Sequence, residues 1–259
     1  MLMFYHKRLK HILFDYLNKM FETLDEVANY YLEENDNKHE VIYKNFDENV
    51  KVLNPNLSNA FLSADGFGEH AFCWNWKLVV DSMPSSFNFL EIGVYKGRTL
   101  GLIQLLANQT QKQCHIYGIT PLNNKGDKYS AYDNVDYSFE IFSNLNKMGV
   151  GIDNVNIIKG LSNDMTIINE AKSTAPYDIV FIDGCHDYEI VCQDILNYLP
   201  MLKPSGYLIM DDASLFLKNP FGQFLGHKDV GEAIKNTIDN RTDLKHLFAV
   251  GHNRIWQKI

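Results

Sequence analysis

The chain has 259 residues, 46% of them apolar and 22% charged, enough to close one sizeable hydrophobic core with room for an accessory segment. A formal net charge of -8 opposes any sequence-independent grip on phosphate backbones, and the largest basic cluster is KRLK at 7–10, so nucleic acid is excluded as the expected partner. No apolar run reaches the roughly 18–20 residues of a membrane helix, and the start of the chain lacks an apolar block with a cleavage site; the expectation is a globular cytoplasmic protein with no integral membrane segment.

Along the first 85 residues, Ile12, Tyr16, Met20, Leu24, Val27 and Tyr31 recur at three- and four-residue steps and predict one long amphipathic helix. Its basic start, Lys7, Arg8 and Lys10, reads as a solvated helix face rather than a membrane contact. An acidic polar linker is expected over 33–49, then a second helix over 69–82, closed by Pro84. Residues 1–85 therefore read as a helical extension: a substrate-shaping cap, an arm for homo-oligomerisation, or plain packing against the rest of the chain.

From residue 87 the pattern changes to short β-rich runs, at 87–92, 114–119, 155–159, 177–182, 206–210, 244–250 and 253–257. Helical stretches are predicted between them at 97–108, 137–148, 162–172, 188–202 and 230–240. Only Gly251 and His252 separate the last two strands, which must form an antiparallel hairpin at the sheet edge. Residues 86–259 thus predict an α/β domain on a seven-stranded, mostly parallel sheet. The cysteines at 73, 114, 185 and 192 show no paired metal spacing, and three of them fall inside these elements as expected buried thiols.

Residues 87–99 read FNFLEIGVYKGRT, with Glu91, Gly93, Gly97 and Thr99 where the first strand hands over to the first helix. Gly93 permits a sharp turn and close approach to a ligand, and Gly97 lets the helix N-terminus sit against it. The third glycine of a dinucleotide fingerprint is absent, which argues against NAD. With the alternation that ends in a hairpin, the segment resembles the class I S-adenosylmethionine-dependent methyltransferases, a Rossmann-like fold. The resemblance implies that the loop amides and Thr99 receive the methionine carboxylate, that Glu91 accepts from the ammonium or the loop, and that Tyr95 joins the cofactor site. Thr120 departs from the pattern, standing where most relatives carry an acid that clasps the ribose; Thr120 itself, a backbone group, Asp127 or Asp133 must then serve. Ser162, after the third strand, falls where such enzymes contact adenine, and also where a helix N-cap would stand.

The run 177–214, YDIVFIDGCHDYEIVCQDILNYLPMLKPSGYLIMDDAS, taken with LEIGVYKGRT, resembles the group that includes macrocin O-methyltransferase and the cephalosporin hydroxylase family, over residues 69–259. That resemblance implies a divalent cation on Asp183, Asp211 and Asp212, with His186 as general base. Independently, three carboxylates ending adjacent strands repel one another unless a cation or donor sits among them. An all-oxygen set favours Mg2+, with Mn2+ or Ca2+ as substitutes; the alternative is a helix-capping Asp and a cofactor-binding Asp with no metal. The loops 121–136 and 215–229 are expected to shape the acceptor pocket, with Tyr188, Phe221 and His227 on the substrate side beside Phe216 and Phe224. His227 reads as a second base, a metal neighbour or ordinary loop packing. The expected activity is O-methylation of a sugar or nucleotide-linked sugar for surface polysaccharide or glycoside synthesis. A phenolic acceptor and a non-catalytic cofactor-binding scaffold are the alternatives.

Overall fold

Strand β4 (Tyr177–Ile182) is buried at every position, as a central parallel strand covered on both faces must be. It lies between β1 (Ser86–Ile92) and β5 (Leu202–Met210). Beyond β1 come β2 (Gln113–Thr120) and β3 (Val155–Lys159); beyond β5 come β7 (Asn253–Lys258) and β6 (Leu244–Val250), giving the order β3-β2-β1-β4-β5-β7-β6. The computed structural model describes residues 20–33, 35–123 and 136–259, and among them the sheet has seven strands. β1 to β5 pair in parallel, while β7 runs antiparallel to both β5 and β6, which is the expected parallel sheet closed by a hairpin. β5 begins at Leu202, four residues ahead of its expected start.

Five helices follow the strands: α5 (Arg98–Gln109), α6 (Ser138–Lys147), α7 (Met165–Thr174), α8 (Tyr188–Tyr198) and α9 (Lys228–Thr237). Two differ from expectation in ways that matter. α7 starts at Met165 with Asp164 at its N-cap position, so Ser162 is not a cap. α8 stops at Tyr198 because Pro200 has no N–H to continue the ladder, and a short 3₁₀ turn follows.

The extension differs more. Its first described helix, α1 (Leu24–Leu32), starts at a capping box: the Thr23 hydroxyl accepts from the Glu26 N–H while the Glu26 carboxylate accepts from the Thr23 N–H. The predicted helix therefore does not run unbroken through Met20, and Ile12 and Tyr16 lie outside the described residues. The expected linker is instead mostly α2 (Lys38–Leu53), whose Val41, Ile42, Phe46 and Val50 are fully buried. These four form a helical stripe that the surrounding Asp, Glu, Asn and Lys residues mask in composition. α3 (Pro55–Ser63), unforeseen, follows a side-chain cap from Asn54, and α4 (Phe72–Ser82) begins three residues later than expected.

Helices α1 to α6 share one hydrophobic core on one face of the sheet, and α7 to α9 build the other. Cys73 and Cys114 are buried and Cys185 and Cys192 partly so, with no disulfide among them. Among the described residues no helix is long and apolar enough to cross a membrane.

Buried Asn144 on α6 ties the extension to the first βα loop: Oδ1 accepts from Asp65 N (3.0 Å), and Nδ2 donates to Asp65 O (2.7 Å) and Lys96 O (2.8 Å). Asn144→Ala strips partners from three backbone groups at once and should lower unfolding free energy by about 2–3 kcal/mol, read from urea denaturation.

Candidate active site

Register decides which residues meet above the sheet. Ile92 of β1 pairs with Ile182 of β4, and Ile182 with Met210 of β5, so Gly93, Asp183 and Asp211 leave the sheet at one level. The ladder continues one step past the strands, with Asp183 N donating to Ile92 O (2.8 Å) and Asp211 N to Ile182 O (3.0 Å). On the antiparallel side Ala213 N donates to His252 O (2.8 Å), which brings the β6–β7 turn beside Asp211 and Asp212. Over these strand ends opens a cavity of about 890 Å³.

The glycine loop forms one wall. Gly93 has φ +92°, and a Cβ there would stand 1.8 Å from the Asp183 carbonyl oxygen. Gly97, at the N-cap position of α5 with φ +73°, packs on Ile141. Tyr95, Lys96, Arg98 and Thr99 line the cavity. Glu91 lies buried behind them: burial pushes its carboxyl well above the usual range, the Thr99 hydroxyl bonds to it, and its Oε2 has no hydrogen-bond partner.

At the second strand end, the Thr120 hydroxyl is shared with Tyr137 OH (2.7 Å) and accepts from Leu122 N (3.1 Å). Thr120 and Tyr137 both line the cavity, as does Ser162. Asp127, Asp133 and most of the loop 121–136 lie outside the described residues.

Asp183, Asp211 and Asp212 all line the cavity, but Asp183 belongs to neither of the donor groups with metal-ligand spacing. Asp183 and Asp211 share a hydrogen bond between carboxyls, which requires a proton; burial first, then the neighbouring carboxylates, raises Asp183 far above the ordinary range. Asp212 turns out of the sheet with φ +55°, and its Oδ2 lies 2.8 Å from His186 Nε2 and 3.7 Å from His227 Nε2. The rings of His186 and His227 stand 4.5 Å apart. Two donor groups have metal-ligand spacing among the described residues: His186, Asp212 and His227, and Asp211, Asp212 and His252.

Two expected substrate residues are elsewhere. Tyr188 does not line the cavity, and its hydroxyl accepts from Asn236 Nδ2 (3.0 Å). Phe221 packs on Tyr43 (centroids 5.3 Å) and lines a separate shallow pocket. The loop 215–229, which carries Phe221, instead sends Gln223, Phe224 and His227 into the cavity. Two site residues were not anticipated: Glu69, just ahead of α4, and His252, whose Nδ1 lies 2.9 Å from Glu69 Oε1. For His252 a signal existed, since a two-residue turn after an edge hairpin must fall level with the end of β5. For Glu69 there was none.

Residues 90–213 match the family described as a methyltransferase domain. The chain has the Rossmann-like fold of the methyltransferases. Its fold is similar to the O-methyltransferase TomG of Streptomyces achromogenes, involved in tomaymycin synthesis and solved with SAM (TM-score 0.57, 15% identity, 85% of this chain and 98% of that one). It is likewise similar to an O-methyltransferase from Bacillus cereus solved with SAH (TM-score 0.56, 16% identity, 85% and 99%). At these identities the likeness is one of fold. An uncharacterized protein, R132, of Acanthamoeba polyphaga mimivirus is 31% identical over 141 residues, 52% of this chain and 57% of that protein. The chain thus spans little more than half that relative's length.

Burial alone would depress His252, but Asp211, Glu69 and Asp212 outweigh it and raise the imidazole from 6.5 to about 9. Because the folded value exceeds the unfolded one, this stabilisation is complete below pH 6.5 and is lost as pH rises through 9. Chelator-treated protein should lose about 2–3 kcal/mol of unfolding free energy across that window, and His252→Gln should flatten the loss relative to wild type.

Proposed function

We propose that the protein is an S-adenosylmethionine-dependent O-methyltransferase acting on a small polyhydroxylated acceptor, a sugar or nucleotide-linked sugar of surface polysaccharide or glycoside synthesis. The carrying observation is that the glycine loop and the acid–histidine cluster of Asp183, Asp211, Asp212 and His186 open into one cavity. Its volume, about 890 Å³, suits a nucleotide-sized cofactor together with a small acceptor. The cofactor-bound states of TomG and the Bacillus cereus enzyme support the choice of cofactor.

The residues present fit that cofactor. Gly93, Tyr95, Gly97 and Thr99 offer a loop with no Cβ at its tightest point, and Glu91, buried behind it and outside the cavity lining, supports the loop through Thr99. Thr120 acts through Tyr137, whose hydroxyl it holds at the cavity wall in place of a ribose-binding acid. Ser162 serves the adenine end. The cofactor supplies a methyl group already activated on sulfonium, which leaves the protein to align and deprotonate the acceptor.

Asp211 and Asp212, with Asp183 beside them, fit a divalent cation, Mg2+ or its substitutes Mn2+ and Ca2+: without one, Asp183 and Asp211 share a proton, and Asp211 Oδ1 is buried with no hydrogen-bond partner. Such a cation would stabilise the alkoxide that forms on the acceptor. His186 stands in the same cluster with Nε2 2.8 Å from Asp212 Oδ2, which orients the ring and stabilises the imidazolium formed when its other nitrogen takes the hydroxyl proton. Phe224 offers an apolar face to a sugar ring, and Gln223 and His227 offer polar groups. Phe61, Phe67, Glu69, Phe72 and Trp76 of the extension line the same cavity, which supports the cap reading of residues 1–85.

His186→Ala should lower turnover by about 10²–10⁴-fold while S-adenosylhomocysteine affinity, measured by calorimetry, stays within about twofold; unchanged turnover refutes the assignment. Incubation with nucleotide sugars and cofactor should give a methyl-sized mass gain that EDTA suppresses. A panel of diphenols methylated in preference to the sugars would overturn the acceptor class.

A further inference from the structure

The turn between β6 and β7 carries a histidine that the proposed proton transfer does not use. His252 is buried, its ring edge-on to Phe72 (centroids 4.7 Å) and Phe224 (5.5 Å). Nδ1 lies 2.9 Å from Oε1 of Glu69, which arrives from the extension. Glu69 is itself fixed: Oε2 accepts from Gln223 N (3.0 Å), and the Tyr43 hydroxyl also bonds to it. A ring that donates Nδ1–H to a carboxylate turns its Nε2 the opposite way, where a lone pair is available once a cation replaces the Nε2 proton. In that direction stand Asp211 Oδ1 at 3.2 Å and Asp212 Oδ1 at 3.9 Å.

The approach of His252 to Asp211 is not a hydrogen bond. Asp211 Oδ1 is buried with no hydrogen-bond partner although a ring nitrogen is 3.2 Å away. One nitrogen and two carboxylate oxygens that converge in this way have the spacing of neighbouring ligands on one ion, since donors about 2.1 Å from a metal at right angles stand about 3 Å apart. A carboxylate on the far ring nitrogen is the usual companion of a metal-bound histidine. The competing group, His186, Asp212 and His227, contains one carboxylate, and both rings approach the same oxygen of it.

We propose that His252, aimed by Glu69, is a nitrogen ligand of the divalent cation held at Asp211 and Asp212. The inference rests on the metal reading of the proposed function and changes its chemistry: the donor set becomes mixed nitrogen and oxygen, which binds Mn2+, Fe2+ or Co2+ more tightly than Mg2+. It also divides Asp212, with Oδ1 toward the ion and Oδ2 toward His186. Glu69 becomes a positioning residue, through which the extension completes the site.

The test uses the full chain stripped with chelator and titrated with Mn2+, read by calorimetry and by pulsed electron paramagnetic resonance. Wild-type protein should show the nitrogen-14 modulation of a directly bound imidazole. His252→Gln should lose it and raise the Mn2+ Kd by about 10–100-fold, whereas Glu69→Gln should keep it with a Kd raised by about tenfold. Mn2+ that binds wild type without nitrogen coupling overturns the proposal, and that spectrum requires no variant to fold. Coupling that survives in His252→Gln but vanishes in His186→Gln or His227→Gln also overturns it; in either case the metal reading stands. If Mn2+ does not bind at all, both fall together.

Discussion

At the top of β1 the backbone of Gly93 runs so close to β4 that a Cβ would stand 1.8 Å from the Asp183 carbonyl oxygen. Any side chain there would push the two strand ends apart, and the level at which Asp183 and Asp211 leave the sheet would go with them. The ladder bonds from Asp183 N to Ile92 O and from Asp211 N to Ile182 O hold only while that approach is kept. Glycine loop and acidic cluster are therefore set by one contact. The same glycine gives the loop its turn and gives the cluster its floor.

The cluster poses an electrostatic problem that the fold answers locally. Four carboxylates, Glu69, Asp183, Asp211 and Asp212, meet three imidazoles, His186, His227 and His252, at the bottom of one cavity. Unrelieved, the Asp183–Asp211 pair takes up a proton, and His252 is drawn toward its charged form by the acids on both of its nitrogens. Each response partly supplies the positive charge that a cation would bring. The positive φ of Asp212 belongs to the same arrangement: it turns one carboxylate so that its two oxygens face different histidines.

Legibility in the sequence followed the range of the interaction. The sheet could be read because each strand announces itself within six or seven residues, and order and hairpin follow from the alternation. Asp183, Asp211 and Asp212 could be read because strand ends are where an open α/β sheet gathers its polar groups, whereas His186 came only with the family resemblance. The extension was misread where composition and periodicity disagreed: the charged residues around Val41, Ile42, Phe46 and Val50 suggested a linker, yet the stripe buries completely. Tyr188 and Phe221 were assigned by proximity to motifs, and their side chains turn to Asn236 and Tyr43 instead. Glu69 was invisible because its partner His252 lies 183 residues away, and nothing local marks a residue whose meaning is set by the closing of a sheet edge.

That long-range pair also bears on what the extension is for. The contacts that join it to the domain around the cavity include Asn144 with the backbone of Asp65, Arg98 with the carbonyl of Ala64, and Glu69 with His252. Each partner on the domain side lies in or next to the glycine loop, on the helix that packs against it, or in the turn beside Asp211. Undocking residues 61–76 would open the cavity wall, release Tyr95 from its stack on Phe67 and take the carboxylate from His252 in one event. Docking of the extension and closure of the cavity are thus one equilibrium rather than two, and a change that weakens the extension anywhere along α1 to α4 reaches the acid–histidine cluster through Glu69.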